Sequence, residues 1–571
     1  MKKSLWILLF FIAALYLLPL FFRPMMEPEE FRYAEIAREM LERKNFITTE
    51  VLGVRYFDTM PMSYWLTAAS FKFFGFNTFA LRLIPFLATL GTALLLGLWC
   101  RQRKYSESTL INVLFLYLSC SAVWLAGAFA SAAPLFAFWT TAVLVLSALG
   151  VESESFQRKL CFFAGAGAAL GCGFLSGGTQ AVIFPLLSIV LFLLWQKKFK
   201  EIGFALLLPA AVAAVVVLPW GIAIHKEEAA FWNYFFSHQH YLRFAECIAE
   251  HVKVPFWIVF PIFAVGLIPG IFPFLAALPA LPKGAWEKLK SSPELRLSLV
   301  SALVPLLFLT LFTDDTLPPG IWASFPPLAM AGAMVMAEAE PARVYPQLRS
   351  LTTLTSILFI IIGAGALLTV IVYLLCGTGF IPALSRKIAL WVPFFITMAL
   401  GLICSGTLLF INRKTKLPEP GSYFMLAPVT VAVCVWFLPG FTANARMPEF
   451  EILHIASQLS AEKISHTRII AAPDLKYSAA WCFKDSTIQL IGSARELAYG
   501  HKYALAKGEQ PLVLTVEEIK ALLNDAKRQE DILLLLTEEQ LKEFTTGQLF
   551  TADGTLCALY FKGNKEAKQE K

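Results

Sequence analysis

The chain has 571 residues, 57% hydrophobic and only 16% charged, with a mean hydropathy of +0.64 and a net charge of +7. That is more apolar side chain than one globular core can bury, so a wholly soluble protein is excluded and a bilayer must serve as solvent. The basic residues lie in short clusters between apolar runs rather than on one arm or face, a pattern of membrane topology that argues against a nucleic-acid partner.

In chain order, the first element is an apolar run from Lys2-Lys3 to Phe22. It is long and no small-residue cleavage site follows it, so it reads as a retained anchor and not as a cleaved signal. Spans are expected near 4–22, 79–99, 109–127, 130–150, 160–176, 179–195, 203–224, 255–281, 295–313, 319–338, 351–376, 388–411 and 422–440. Each is roughly twenty residues, enough to cross the hydrocarbon, and together they make about thirteen crossings.

With the N-terminus in the cytoplasm, the loops on that side hold Arg101, Arg103 and Lys104; Arg158 and Lys159; Lys197, Lys198 and Lys200; Lys283, Lys288 and Lys290; Arg343 and Arg349; Arg413, Lys414 and Lys416. Every such loop is basic, as the positive-inside rule asks. An odd number of crossings then places the C-terminal domain outside, with the long loops 23–78 and 225–254.

The first outer loop contains a helical pattern over Glu30 to Lys44, with Tyr33, Ile36, Ala37, Met40 and Leu41 on one face and Glu35, Arg38, Glu39 and Glu42 on the other. Such a helix is expected along the membrane surface. Tyr64 to Phe74 is aromatic, nearly uncharged and suited to the headgroup boundary.

The composition turns soluble between Gly440 and Met447, which sets a membrane domain over 1–440 and a second domain over 447–571. In the latter a helix at Glu449–Lys463 precedes apolar runs at His466–Ala472, Thr487–Gly492, Pro511–Thr515, Asp531–Thr537 and Thr555–Lys562. Helices are expected between them at Ala494–Ala498, Val516–Lys527 and Glu538–Phe544. Strand and helix in turn make a small α/β domain, so the fold class is a polytopic α-helical membrane protein with a C-terminal α/β soluble domain.

Gly492 and Gly500 do not form a phosphate-binding G-x-G-x-x-G, and no nucleotide site or other cofactor is expected. The ten cysteines include no C-x-x-C pair and no zinc spacing; most are packing residues, and the pairing of Cys482 with Cys557 stays open. No metal site is expected, and His251 alone is an ordinary loop histidine.

The stretch that carries function is Glu27-Pro28-Glu29-Glu30-Phe31-Arg32-Tyr33-Ala34-Glu35-Ile36, followed by Gly53-Val54-Arg55-Tyr56-Phe57-Asp58 and Tyr64-Trp65. It resembles the GT-C membrane glycosyltransferases, specifically the ArnT-like branch related to protein mannosyltransferases. There the loop after the first span reads approximately P-D-E-x-R-Y-A-E-I, then G-x-x-Y-F-[DE]-K-P, then Y-W. The likeness continues through Tyr234-Phe235-Phe236, His240, Arg243-Phe244, His251, Pro255-Phe256-Trp257, Leu317-Pro318 and Phe325-Pro326-Pro327-Leu328-Ala329 to Glu496-Leu497-Ala498-Tyr499-Gly500.

The resemblance implies transfer of a sugar from a polyprenyl-phosphate donor to a glycolipid acceptor, such as lipid A, on the outer face of the bacterial inner membrane. It puts Glu29 in the place of the family's catalytic Asp, and Glu30, Arg32, Tyr33, Arg55, Tyr56, Asp58, His240, Arg243, His251 and Lys253 among the substrate-binding residues. The chemistry suits these residue types. A carboxylate outside the bilayer can take the acceptor hydroxyl's proton, and cations can stabilise a phosphate as negative charge grows on it.

Three family lysines are replaced, at Thr59, Gly177 and Thr316, so the phosphate is left to arginine, histidine or Lys253. The same losses fit a second reading, a catalytically silent relative that binds polyprenyl lipid or a partner protein; a transporter fits span number alone. Plainer roles also exist for the site residues. Glu29 and Glu30 suit the positive end of a helix dipole, Arg32 and Arg55 can form surface ion pairs, and His240 with Arg243 can anchor an aromatic loop at the headgroups.

Overall fold

A computed structural model of the protein describes residues 25–236, 259–311, 319–380 and 467–563, apart from a few positions, with helical fragments within 16–21, 396–411 and 452–457. It comprises two compact units: residues 1–23, 59–63 and 82–440, and residues 24–58, 64–81 and 441–571. By packing, most of the first outer loop therefore shares a unit with the C-terminal domain, although order along the chain groups it with the spans.

Among the described residues, seven helices are long and apolar enough to cross a membrane: Thr78–Gln102, Ala133–Glu152, Phe156–Gly177, Phe199–Glu227, Pro293–Thr310, Gly320–Glu338 and Pro346–Thr369. Each coincides with an expected span. The run 179–195 is the shorter helix Gln180–Trp195. Most of 4–22 and 388–411, and all of 422–440, lie outside the described residues.

Lipid tails give helices no hydrophobic reason to associate, so close packing has to supply it. Gly167 and Gly171 on Phe156–Gly177 show how. A Cβ on Gly167 would lie 2.6 Å from the Pro209 carbonyl oxygen, and one on Gly171 would lie 2.7 Å from Val216 Cβ, both on Phe199–Glu227.

Two expected spans are broken. The run 109–127 divides into Glu107–Leu118 and Ser121–Gly127, and 255–281 contains Val259–Leu267, Ile271–Ala277 and a 3-10 turn Leu278–Ala280. The breaks meet: Ser121 N donates to the Ile268 carbonyl at 3.0 Å, and Ser121 Oγ donates to the Val265 carbonyl at 3.0 Å. Gly270 lies so close to Leu116 that a Cβ would stand 2.7 Å from its carbonyl oxygen. Backbone interrupted at membrane depth must find partners inside the protein, and each break supplies them to the other. Hydropathy averages across such a break, which is why each reads as one span.

Ion pairs tie together loops that the charge rule assigns to one side. Arg103 pairs with Glu152 and, at 2.9 Å, with Glu294; Lys159 pairs with Glu201 at 2.5 Å, and Lys288 with Glu338 at 2.7 Å. These helix ends lie at one end of the bundle.

The second unit starts with helix α1, Glu29–Arg43, followed by a hairpin of β1, Glu50–Val51, and β2, Val54–Arg55. Leu52 and Gly53 both take positive φ, 53° and 74°, the geometry of a two-residue turn that matches strand twist. Helix α2, Met62–Phe74, is the expected aromatic segment; Trp65 Nε1 donates to the Phe46 carbonyl at 2.6 Å, and Phe73, Phe74 and Phe76 stay exposed.

The C-terminal residues form a six-stranded sheet in the order β5-β4-β3-β6-β8-β7, from β3 Thr467–Ala471, β4 Gln489–Ile491, β5 Val513–Leu514, β6 Asp531–Thr537, β7 Gln548–Thr551 and β8 Leu556–Phe561. The first four strands in that order pair parallel, and β8 with β7 add antiparallel. The apolar run of β6 makes it the central strand, with Leu533, Leu534, Leu535 and Leu536 fully buried, as a strand covered on both faces should be.

The helices of this domain are α3 Lys476–Phe483, α4 Ala498–Ala506, α5 Val516–Asn524 and α6 Glu538–Leu541. Capping boxes start the last two, Thr515 with Glu518 and Thr537 with Gln540. The sequence reading contains neither α3 nor β7, both short and without clear periodicity. Its helix at Glu449–Lys463 lies outside the described residues except for 452–457.

Candidate active site

Helix α1 packs on α3, and α4 packs on the hairpin. Gly500 permits the second contact: a Cβ there would stand 2.1 Å from the Arg55 carbonyl oxygen. Two pieces of chain more than four hundred residues apart thus build one surface.

Most of the charged face of α1 is not solvated; only Glu42 of the four stays exposed. Glu35, Arg38 and Glu39 are as buried as the apolar face. Arg38 spans both oxygens of Glu35 and also reaches Glu42. Glu39 Oε1 accepts from Leu52 N at 2.7 Å, which fixes the hairpin turn, and Arg43 joins Glu39 at 3.4 Å to Glu50 at 2.8 Å. Buried charge survives only when paired and hydrogen-bonded; Arg38 with Glu35 meets that condition, whereas burial pushes the Glu39 carboxyl up to about 8. Amphipathic spacing identifies such a face as charged, but it cannot tell water from a buried counter-charge.

The start of the helix differs. Glu29 is half-exposed and pairs with Arg32 one turn later. The Arg32 guanidinium lies 5.6 Å from the Tyr56 ring centroid, and its Nε is buried without a partner among the described residues. Burial opposes the Arg32 charge, but its neighbours outweigh it, the ion pair with Glu29 among them, and hold the pKa well above the ordinary guanidinium value. Burial raises the Tyr56 and Tyr477 phenols well above their usual range, so both stay protonated as donors.

Glu27 stands two residues before Glu29. Both its carboxylate oxygens are buried with no hydrogen-bond partner among the described residues. Burial pushes its pKa up to about 8, against the opposing pull of the Ser478 hydroxyl and Lys476.

The other predicted residues divide sharply. Glu30 is buried and its Oε2 accepts from Met26 N at 3.0 Å, a role at the helix start. Tyr33 is buried with its ring 5.0 Å from that of Tyr64. Arg55 pairs across the hairpin with Glu50, which explains its place without a substrate. Tyr56 is buried, and Asp58 acts on it electrostatically. His240, Arg243, His251 and Lys253 lie outside the described residues.

Among the replaced lysines, Gly177 is informative. A Cβ there would stand 2.2 Å from the Phe136 ring, so that ring fills the space into which a longer side chain would start.

A family model described as dolichyl-phosphate-mannose-protein mannosyltransferase matches residues 3–235. A protein of Aeromonas salmonicida named undecaprenyl phosphate-alpha-4-amino-4-deoxy-L-arabinose arabinosyl transferase is 31% identical over 567 residues, covering 98% of each chain. The chain belongs to this ArnT-like family. A second relative of the same name, from Pectobacterium carotovorum, is 32% identical over 87% of this chain and 86% of its own. In fold, the ArnT-like chain matches the crystal structure of ArnT from Cupriavidus metallidurans bound to undecaprenyl phosphate, with TM-score 0.77 and 19% identity over 99% of this chain and 100% of that one. It is accordingly a GT-C membrane glycosyltransferase.

The ArnT-like motif located Glu29, Arg32 and Tyr56. It did not locate Lys476, Tyr477 or Glu496, which the packing of α3 brings to α1. Glu496 falls in a segment that resembles the family, but nothing in the local sequence of α3 marks Lys476 or Tyr477.

Proposed function

We propose that this enzyme moves a 4-amino-4-deoxy-L-arabinose unit from undecaprenyl phosphate to a glycolipid acceptor of the lipid A kind, on the outer face of the bacterial inner membrane. The N-terminus is then cytoplasmic and the C-terminal domain periplasmic, as the basic loops ask. The observation that carries the reading is the half-exposed Glu29 carboxylate paired with the Arg32 guanidinium at the head of α1, in a chain aligned along nearly its whole length with arabinosyl transferases.

An acceptor hydroxyl oxygen attacks the anomeric carbon as its proton passes to Glu29. The bond from that carbon to the phosphate oxygen breaks, its electron pair stays on the phosphate, and the configuration inverts. Arg32 stabilises the charge on the departing phosphate, a task for which a planar guanidinium with an unused Nε–H suits two-point contact. Of the other predicted contacts, Tyr56 holds Arg32 from its ring face, while His240, Arg243, His251 and Lys253 are further phosphate or headgroup ligands.

The test is transfer of radiolabelled sugar by purified protein in proteoliposomes. Glu29→Gln should lower turnover by about a hundredfold, the order expected when a general base is removed. Turnover equal to that of the native chain would remove Glu29 from the mechanism.

A further inference from the structure

Helix α4 of the C-terminal domain meets the first outer loop at Gly500, which is buried in the first turn of α4. Only proline disfavours a helix interior more than glycine, so a buried glycine there calls for a reason. The reason is space. Gly500 lies against the Arg55 carbonyl at the end of β2, where a Cβ would overlap the oxygen and stand 3.1 Å from the carbon. Beside this gap α4 carries Tyr499 and Tyr503, whose rings stack with centroids 6.5 Å apart. Both face Phe57, at 6.1 and 6.4 Å between centroids.

Tyr56 stands between the two residues that α4 touches. Its amide donates to the Thr49 carbonyl at 2.9 Å, and its carbonyl accepts from the Thr49 hydroxyl. The backbone of Tyr56 is therefore held by Thr49 within the hairpin and by α4 from outside it. Its ring is 3% exposed, and the Arg32 guanidinium lies 5.6 Å from the ring centroid. Attraction of a cation to a ring face is short-ranged, so the place of the ring decides where the guanidinium rests. A guanidinium that is to receive a phosphate has to be aimed before the phosphate arrives, because displacement by roughly 1 Å costs on the order of a hundredfold in rate.

We infer that Gly500 is a positioning residue of the transfer: by letting α4 bear directly on the backbone from Arg55 to Phe57, it sets the Tyr56 ring against Arg32 and so aims Arg32 at the phosphate of the lipid-linked donor. The C-terminal domain then takes part in donor recognition without touching the donor. This rests on the assignment of Arg32 to the phosphate.

The experiment measures binding of undecaprenyl phosphate to the full chain in detergent, with transfer kinetics in proteoliposomes. Gly500→Ala has to part α4 from the Arg55 carbonyl by roughly 1 Å before the atoms reach van der Waals contact. It should weaken binding about tenfold, the scale of one misdirected hydrogen bond to a charged group, and lower kcat/KM for the donor by up to about a hundredfold. The KM for acceptor should not move. Phe57→Leu removes the contact with Tyr499 and Tyr503 without adding bulk and should weaken binding in the same direction; it decides alone if Gly500→Ala does not fold. In a Tyr56→Leu background neither change should have a further effect on binding, because the ring through which both act is gone.

An equal loss in the native and Tyr56→Leu backgrounds would overturn the inference, since a general disturbance of the domain does not depend on that ring. Native affinity in Phe57→Leu and in folded Gly500→Ala would overturn it as well. If Arg32→Gln binds undecaprenyl phosphate normally, the phosphate role of Arg32 fails, and this inference with it. If Arg32→Gln is weakened while Gly500→Ala and Phe57→Leu are not, only the positioning by α4 fails.

Discussion

The two ends of helix α1 treat charge in opposite ways. From Glu35 onward each described acid or base is bound to a counter-charge or an amide, and the network joins the helix to its hairpin. Over the residues from Glu27 to Arg32, one carboxylate is half-exposed, another is buried deeply enough to push its pKa up to about 8, and a guanidinium keeps a free Nε. The cost of an unpaired buried polar group is of the order of 1–3 kcal/mol, which a fold retains where a ligand supplies the partner. The ion-paired stretch serves the scaffold, and the less paired start of the helix is the candidate place for substrate.

The sharpest way to break that comparison is to exchange the effects. Arg38→Ala leaves Glu35 buried without its partner and should destabilise the second unit by about 3–5 kcal/mol, read as earlier thermal unfolding or faster proteolysis of the full chain. The fraction that remains folded should transfer sugar at the native rate. Glu29→Gln should do the converse, with turnover reduced about a hundredfold and an unchanged unfolding midpoint. If Arg38→Ala abolished turnover while folded, the division of the helix into scaffold and site would collapse.

A pH titration sharpens it further. Glu27 has a folded pKa of about 8, above the value of 4.5 for an unperturbed carboxyl. The folded state therefore holds a proton that the unfolded state releases between those values, so stability is full below the lower value and declines as pH rises through about 8. The unfolding midpoint of the native chain should fall between pH 6 and pH 9 by more than that of Glu27→Gln. Parallel curves would show that Glu27 is ionised in the folded chain. The smallest effect is expected from Arg55→Ala. Its pair with Glu50 is partly exposed, so the loss should be under about 1 kcal/mol with turnover near native. A large catalytic loss there would instead return Arg55 to the phosphate.

Much of the fold is legible in the sequence because its signals are local. Twenty apolar residues specify a span wherever they occur, the alternation of runs in the tail specifies an α/β domain, and the Glu29-to-Tyr33 motif points to the candidate site. The failures are equally physical. Breaks at Ser119-Cys120 and near Ile268 are stable only because each supplies partners to the other, and no single run contains that information.

The candidate site follows the same division. Glu29, Arg32 and Tyr56 belong to one loop and can be named from its pattern, whereas Lys476, Tyr477 and Glu496 come to α1 only because α3 packs on it. The pattern of α1 likewise shows which residues are charged but not which are buried. Composition and periodicity by themselves determined a membrane-bound α-helical chain with an α/β tail, and the resemblance to the ArnT-like family supplied the candidate residues of its chemistry. Only the tertiary structure decided which charges neutralise one another and which stay open, because pairing depends on distances between segments that the order of residues along the chain does not contain.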